Sequence, residues 1–370
     1  MNLQVLAQNV RRLRTAQHRS QKALADAAGL SLPAIKKLEG GKVAPRMSTV
    51  QSIAGALGVK LQELFYPVNE LKTVRFRSGK RMQNRENILA DIARWLDDFN
   101  YLEETLGESI RFRLKSQRSK ISTDDIVNAA SRCRETLGLK GTEPIHDICG
   151  LLEHAGIKVF PASIASDGFF GLSIGEEDGG PAVAVNSWER ISVERRIFSA
   201  AHELGHLMLH PKAYDVSQTE ENKEEEHQAD LFAGHFLMPD AGFRKEWAEA
   251  AGLTFVDRVF KVKRIFRVSY KTILVRLIEY GAVDKSDIWR KFNWAYQQRY
   301  RRKLPFKEEP MGVVGEPFRM ERFDFYEDRL SRLTRKAVEE DKISLSRGAE
   351  ILRIGIEEMQ DLLVDWETLQ

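Results

Sequence analysis

Two histidines four residues apart, His202 and His206, with Glu203 directly after the first, are the residues of this sequence best placed to do chemistry. On a helix, positions i and i+4 lie one above the other on the same face, so two imidazoles so spaced can chelate one divalent cation. A Zn²⁺ held there lowers the pKa of a water to about 7, and Glu203 is positioned to take the proton. The chemistry is therefore hydrolytic. The stretch that carries the motif, SVERRIFSAAHELGHLMLH, is apolar before and after it, which implies a buried helix and the dry surroundings a polarising ion needs. His-Glu-x-x-His also arises by chance with both histidines merely solvated, and this context argues against that reading.

A third protein ligand is required, and the residues that follow offer His210, Glu220, Glu221, Glu224, Glu225, Glu226, His227 and Asp230. His210 shares the helical face, but at ~1.5 Å per residue it lies about 9 Å along the axis from a metal seated between positions 202 and 206. That places it outside direct ligation. Sites of this type commonly add a Glu from another helix. EEEHQADLFAGHFLMP reads as such a helix, with Ala229, Phe232, Ala233 and Leu237 on its packed side, and Glu226 falls on that side. Glu224 and Glu225 point further from it and read as solvated charge. Asp230, one turn after Glu226, is placed to orient a histidine from behind.

These elements need domains around them, and 370 residues suggest two or three at ~100–200 residues each. A composition of 42% hydrophobic and 30% charged residues fits a globular protein. No apolar run approaches the ~20 residues of a membrane span, and MNLQVLAQNVRRLR lacks the apolar core of a secretory signal. A cytoplasmic protein with no membrane association is expected. Cys133 and Cys149 are too few for a disulfide framework or a cysteine-rich zinc site, so His and carboxylates must hold any metal.

Charge divides along the chain. Residues 1–65 hold ten Lys and Arg against three Asp and Glu, which is +7 there and −4 over the rest of a chain whose total is +3. A small basic segment on a mildly acidic body is the pattern of a nucleic-acid-binding module. This segment reads as five short helices. Leu6, Val10 and Leu13 mark the first, Ser20 caps a second that ends at Gly29, and Ser31 caps a third that stops at Gly40-Gly41. After Pro45 come MSTVQSIAGALG and LQELF.

Residues 66–82 read as a basic connector or a short strand pair. From 84 to 107, Ile88, Ile92, Trp95, Phe99, Leu102 and Leu106 recur three or four apart and mark one amphipathic helix, suited to bridging domains or to dimerisation. A helical unit at 122–138, a helix and strand up to Phe160, and two short strands around GEEDGG within 168–186 precede the metal motif. The chain is then mainly helical to about 303, and 324–369 is charged and helical, with helix-turn-helix spacing in ISLSRGAEILRIGIEEMQDLL. The fold class expected is mainly α with a small β-sheet, an α+β arrangement.

His202-Glu203-Leu204-Gly205-His206, Glu226 and the Ala-Asp-x-Phe-Ala stretch leading to Leu237-Met238-Pro239 resemble the ImmA/IrrE family of metallopeptidases. Gly168-Phe169, Asn186, Glu194-Arg195 and Val268 to Gly281 carry the resemblance further, over about residues 140–285. It implies a zincin-like domain with Zn²⁺ or Mn²⁺ bound by His202, His206 and Glu226, with Glu203 as base. It also implies a substrate class, since such peptidases typically cleave helix-turn-helix repressors. Gln228 departs from the family, which often has a second Glu there. Tyr270 is a candidate oxyanion stabiliser, weighed against a buried structural tyrosine.

Residues 6–65 resemble the Xre/Cro family of helix-turn-helix domains, through Arg11-Arg12-Leu13-Arg14, Ser20-Gln21, Leu24-Ala25, Gly29-Leu30-Ser31, Ile35, Leu38-Glu39, Gly41-Lys42 and Pro45. In that arrangement the second helix of the motif enters the major groove of a double-stranded operator. Gln21 would contact backbone or a base, Ser31, Leu32, Lys36 and Lys37 lie on or near the recognition helix, and Lys42 and Arg46 would hold phosphates. Leu32-Pro33 stand where longer polar residues are common, so specificity is expected to lean on few contacts. Two copies are needed to span successive grooves, which implies a homodimer.

The segments expected are a helix-turn-helix domain over 1–66, a linker and amphipathic helix over 67–120, a metallopeptidase domain over 121–303 and a C-terminal helical region over 304–370. Together they predict a DNA-binding regulator that cleaves a repressor or toxin partner in response to a signal. A different reading is a non-proteolytic repressor or antitoxin whose peptidase fold binds a partner or senses metal.

Overall fold

Capping side chains set the first helices. In the computed structural model, which describes residues 3–368 other than 18, 60, 66–70, 76–84, 119–124, 167, 216–221, 282–284, 302 and 305–319, the chain opens with α1 (Leu3–Ala16), α2 (Gln21–Ala28), α3 (Leu32–Glu39) and α4 (Met47–Leu57). The hydroxyl of Ser20 accepts from the Ala23 amide and that of Ser31 from the Ala34 amide, and Gly29 closes α2 at φ 65°. A left-handed residue there is nearly free for glycine and costly for others. The turn between α2 and α3 is therefore fixed at both ends. Leu6, Val10, Leu13, Leu24, Ile35, Leu38, Val50, Ile53 and Leu57 bury their side chains in one small core. The final segment, LQELF, forms a 3₁₀ turn over Leu61–Leu64 instead of an α-helix, and Leu64 still reaches the core.

The chain divides into two compact units, 1–71 with 81–97 and 72–80 with 98–370. The long helix α5 (Arg85–Leu106) runs from one into the other. Its Ile88, Ile92, Trp95, Phe99 and Leu102 are buried, as their spacing predicts.

The second unit contributes β1 (Val74–Arg75), α6 (Lys115–Arg118), α7 (Ile126–Thr136), α8 (Ile148–His154), β2 (Lys158–Ala162), β3 (Gly171–Ile174), β4 (Ala182–Asn186), α9 (Val193–Leu209), α10 (Lys223–Leu237), α11 (Asp240–Glu249), α12 (Phe255–Phe266), α13 (Tyr270–Glu279), α14 (Lys285–Tyr300), α15 (Arg329–Glu339), α16 (Leu345–Leu352) and α17 (Ile356–Thr368). Among the described residues the strands form one sheet in the order β1-β3-β4-β2, with β2 parallel to β4 and the other pairs antiparallel. Of the segment 66–82, read as a basic connector or a short strand pair, residues 71–75 are described, and they supply the two-residue strand β1, which pairs with β3 about a hundred residues later. Asn186 ties the end of β4 to the preceding loop: its amide donates to the carbonyls of Ser166 and Phe169, and its Oδ1 accepts from the Ile164 and Trp188 amides. The core joins the sheet to the helices through Val159, Val183, Val185, Ala200, Leu204, Phe232, Phe236 and Phe260.

The helix-turn-helix echo near the C-terminus is structurally real, since α16 and α17 are short helices joined by a tight turn. Yet α17, where a recognition helix would stand, carries Glu357, Glu358, Asp361, Asp365 and Glu367 with no Lys or Arg. Phosphate would be repelled there, so the spacing does not make a second DNA reader. No helix among the described residues is long and apolar enough to cross a membrane.

Candidate active site

α9 and α10 build the site between them. Ser192 caps α9 through the Arg195 amide, and the Asn222 side chain accepts from the first amides of α10, at Glu224 and Glu225. Ala200, Ala201, Leu204 and Leu207 on one helix and Ala229, Phe232, Ala233 and Phe236 on the other are fully buried. Gly205 sets how closely they approach. A Cβ added there would lie 3.1 Å from Phe232 and 3.3 Å from the Ala229 Cα, a separation that leaves no ordinary room for a side chain. That close crossing carries Glu226 to the histidine face of α9.

His202, His206 and Glu226 each offer a ligand atom within 4.8 Å of the others. The two Nε2 atoms face each other at 2.9 Å, and the Glu226 carboxylate stands 3.2 Å from His202 and 3.5 Å from His206. Two imidazole nitrogens and a carboxylate oxygen, converging and backed by packed helices, suit Zn²⁺ or Mn²⁺. Their opposite nitrogens are engaged. His202 Nδ1 lies 2.8 Å from Asp230 Oδ1, as the spacing on α10 predicts, and His206 Nδ1 lies 3.0 Å from His210 Nδ1.

His210, excluded as a ligand by axial distance, thus meets the far side of His206. The direction of that contact follows from Gln228. Its amide nitrogen donates to Glu224, which turns its Oε1 toward His210 Nε2 at 2.8 Å. An oxygen there only accepts, so His210 carries its proton on Nε2 and accepts at Nδ1. His206 must then donate from Nδ1, which leaves its Nε2 lone pair facing Glu226. The departure at Gln228 is harmless on this account, because glutamine and glutamate both present an acceptor to His210. His210→Ala is expected to weaken zinc binding by roughly 10–100-fold, the usual cost of losing such a partner. Competition with a chromogenic chelator measures it, and an unchanged affinity would remove His210 from the site.

Glu203 is 6% exposed and borders β3, where Gly171 passes so close that a Cβ would sit 3.0 Å from its Oε1. Burial raises its carboxyl to about 7, against the opposing pull of His202 and a hydrogen bond from Ser173. A base near neutrality can both accept and return a proton. Ser173 in turn takes a hydrogen bond from the Tyr214 hydroxyl at 2.8 Å. Tyr270, the tyrosine singled out by sequence, is buried and stacked on Phe292 with ring centres 5.3 Å apart, a packing role.

One further sequence expectation changes. Glu225, read as solvated charge, is half-buried and pairs with the Arg75 guanidinium, whereas Glu224 is exposed as read and accepts from Gln228. Arg75 also donates to Glu226 at 2.7 Å and is 3% exposed. Sequence reasoning missed Arg75, Ser173 and Tyr214; only the basic run Val74-Arg75-Phe76-Arg77 hinted at the first. Glu220 and Glu221 lie outside the described residues, and His227 lines a cavity of about 580 Å³ with Phe170, Arg195, Phe198, Asp230 and Leu231. Arg195 there lies over the Phe170 ring, 4.0 Å from its centre.

In the first unit, Lys36 and Lys37 are exposed on α3, Ser31 uses its hydroxyl as the cap of that helix, and Leu32 is half-buried at its start. Lys42 and Arg46 are exposed in the loop before α4. Gln21 donates to Glu39, which also receives Arg14, so its amide is held within the domain.

The geometry defines a protein that couples a helix-turn-helix DNA-binding domain to a domain of metallopeptidase type. Residues 10–64 match the helix-turn-helix family model and residues 152–278 match the model described as the IrrE N-terminal-like domain. The chain is therefore an Xre-like helix-turn-helix segment fused to a domain of the IrrE/ImmA family. No curated protein matches it.

Proposed function

We propose that this chain is a cytoplasmic, homodimeric transcriptional regulator whose second domain is a zinc-dependent endopeptidase that cuts a protein partner, a repressor or a toxin, and so changes transcription at the operator its first domain binds. The observation that carries the reading is the convergence of His202, His206 and Glu226 with Glu203 alongside. Two imidazole nitrogens and one carboxylate form a donor set that fits Zn²⁺, and Asp230 and His210 fix which nitrogen each histidine offers. Bound there, the ion supplies Lewis acidity toward water and a peptide carbonyl.

The chain's own residues do the rest. Glu203 accepts the proton of the attacking water and delivers it to the leaving amine, a role its raised pKa suits. Ser173, held by Tyr214, keeps the Glu203 carboxylate in place. The side of β3 away from β4, paired with Val74 and Arg75 in this structure, is the line we assign to a substrate backbone beside Glu203, and the cavity beyond Asp230 gives side chains room.

Incubating the zinc-loaded chain with candidate partner proteins and sequencing the fragments by mass spectrometry tests the reading. Fragments that require Glu203 support it, and intact partners under every condition oppose it. For the first domain, exposed Lys36 and Lys37 are assigned to phosphates. Replacing both with Ala is expected to weaken operator binding about tenfold or more and to reduce the slope of log affinity against log salt by about 1.8. Fluorescence anisotropy across a salt series measures both, and an unaltered slope would move the interface elsewhere.

A further inference from the structure

The edge of β3 that a peptide would use is already covered by this chain. Val74 pairs with Ile174 and Arg75 with Ser173, antiparallel, adding a strand to the sheet as an extended peptide does. Upstream, the Gly175 amide donates to the Thr73 carbonyl at 2.8 Å, and the amides of Lys72 and Thr73 both donate to Asp178 Oδ2 at 2.6 Å. Val74 and Arg75 are thus laid along the strand that borders Glu203, and Lys72 and Thr73 are held by the turn that follows it.

Arg75 carries the covering strand into the site. Its partner across the ladder, Ser173, is the residue that holds Glu203. Its guanidinium, withdrawn from solvent, pairs with Glu225 and with Glu226, the proposed ligand. A buried arginine with two carboxylate partners is not a chance surface contact, since its desolvation must be offset by both pairs.

We propose that residues 72–75 are a built-in competitor for substrate, a strand of the chain that occupies the peptide-binding edge and inserts Arg75 beside the metal ligands, so that the site accepts another peptide only after this strand leaves. The proposal rests on the peptidase reading above, because it takes the β3 edge as the place where substrate lies. Reversibility follows from size. A ladder of two residues is too short to persist by itself and holds its place because it is tethered, with an effective concentration of about millimolar. A free peptide at micromolar concentration is therefore outcompeted while the tether holds.

The test uses the full-length, zinc-loaded chain carrying Glu203→Gln, so that binding is read without cleavage. The probe is a fluorescein-labelled peptide of sequence Leu-Lys-Thr-Val-Arg, copied from 71–75. Replacing residues 72–75 with Gly-Ser-Gly-Ser is expected to tighten peptide binding at least tenfold by anisotropy, with zinc affinity changed by less than about threefold. Asp178→Ala, which loosens the strand without touching the site, is expected to speed hydrogen exchange at the Arg75 and Gly175 amides, the ones that face across the β1–β3 ladder, at least tenfold; circular dichroism checks the fold of both variants. Equal peptide binding with and without the strand overturns the proposal, as does exchange unaltered by Asp178→Ala. A fall of tenfold or more in zinc affinity without any gain in peptide binding also overturns it, and makes Arg75 a positioning residue for Glu226. Failure of the peptidase reading looks different: the peptide binds the strand-free chain tightly, yet the same chain with Glu203 intact cuts nothing.

Discussion

Glu203→Gln is expected to lower the rate of peptide cleavage by about 10²–10⁴-fold while leaving zinc affinity within about threefold. The glutamine keeps the size of the side chain, so Gly171 and Ser173 still accommodate it, and the ligands at 202, 206 and 226 are untouched. What disappears is the acceptor for the proton of water. The amide has no basicity near neutral pH, whereas burial tunes the native carboxyl to about 7. Cleavage of an identified partner, followed by gel or mass spectrometry, gives the first number, and chelator competition gives the second. In cells the same substitution should abolish any derepression that depends on cutting. Regulation that survives it would sink the proteolytic reading and favour a domain that binds its partner or senses metal.

Glu226→Ala is expected to weaken zinc binding by at least about a hundredfold, more than the loss of an outer partner such as His210. The carboxylate stands 3.2 and 3.5 Å from the two imidazoles, and removing it leaves two imidazoles without the anionic donor that converges with them. Arg75 adds to the effect, because it loses one of its two carboxylates and its positive charge then faces the site with only Glu225 beside it. Glu226→Asp, which keeps the charge but shortens the reach, should fall between the native protein and Glu226→Ala. Zinc affinity unchanged in the alanine variant would mean that a residue other than Glu226 completes the site.

What the sequence made readable was local. Ser20, Gly29 and Ser31 announce the ends of α2 and α3, because a cap acts on amides two or three residues away. The histidine spacing gave one face of α9, and the packed side of α10 pointed to Glu226 and Asp230, which do meet that face. Contacts made across long separations were not readable. Val74-Arg75 is too short to show a strand period, and its partner Ile174-Ser173 is chosen by the position of the sheet. Ser173 and Tyr214 carry no motif; they matter because β3 and the segment after α9 bring their hydroxyls together near Glu203. His210 is instructive in another way. Helix geometry ruled it out as a ligand, but the side chain it meets depends on ring orientation, which spacing along an axis does not give.

Gly205 touches no ligand, yet its missing side chain decides how far apart the two ligand-bearing helices lie. The ion and the hydrophobic contact between α9 and α10 therefore belong to one cooperative unit. Zinc at a hundred times its dissociation constant would add about 2.7 kcal/mol to the stability of the folded state, and chelation would remove the same amount. On the zinc reading proposed above, metal supply would set the durability of the domain as well as its chemistry, and a cell short of zinc would hold less of this protein intact.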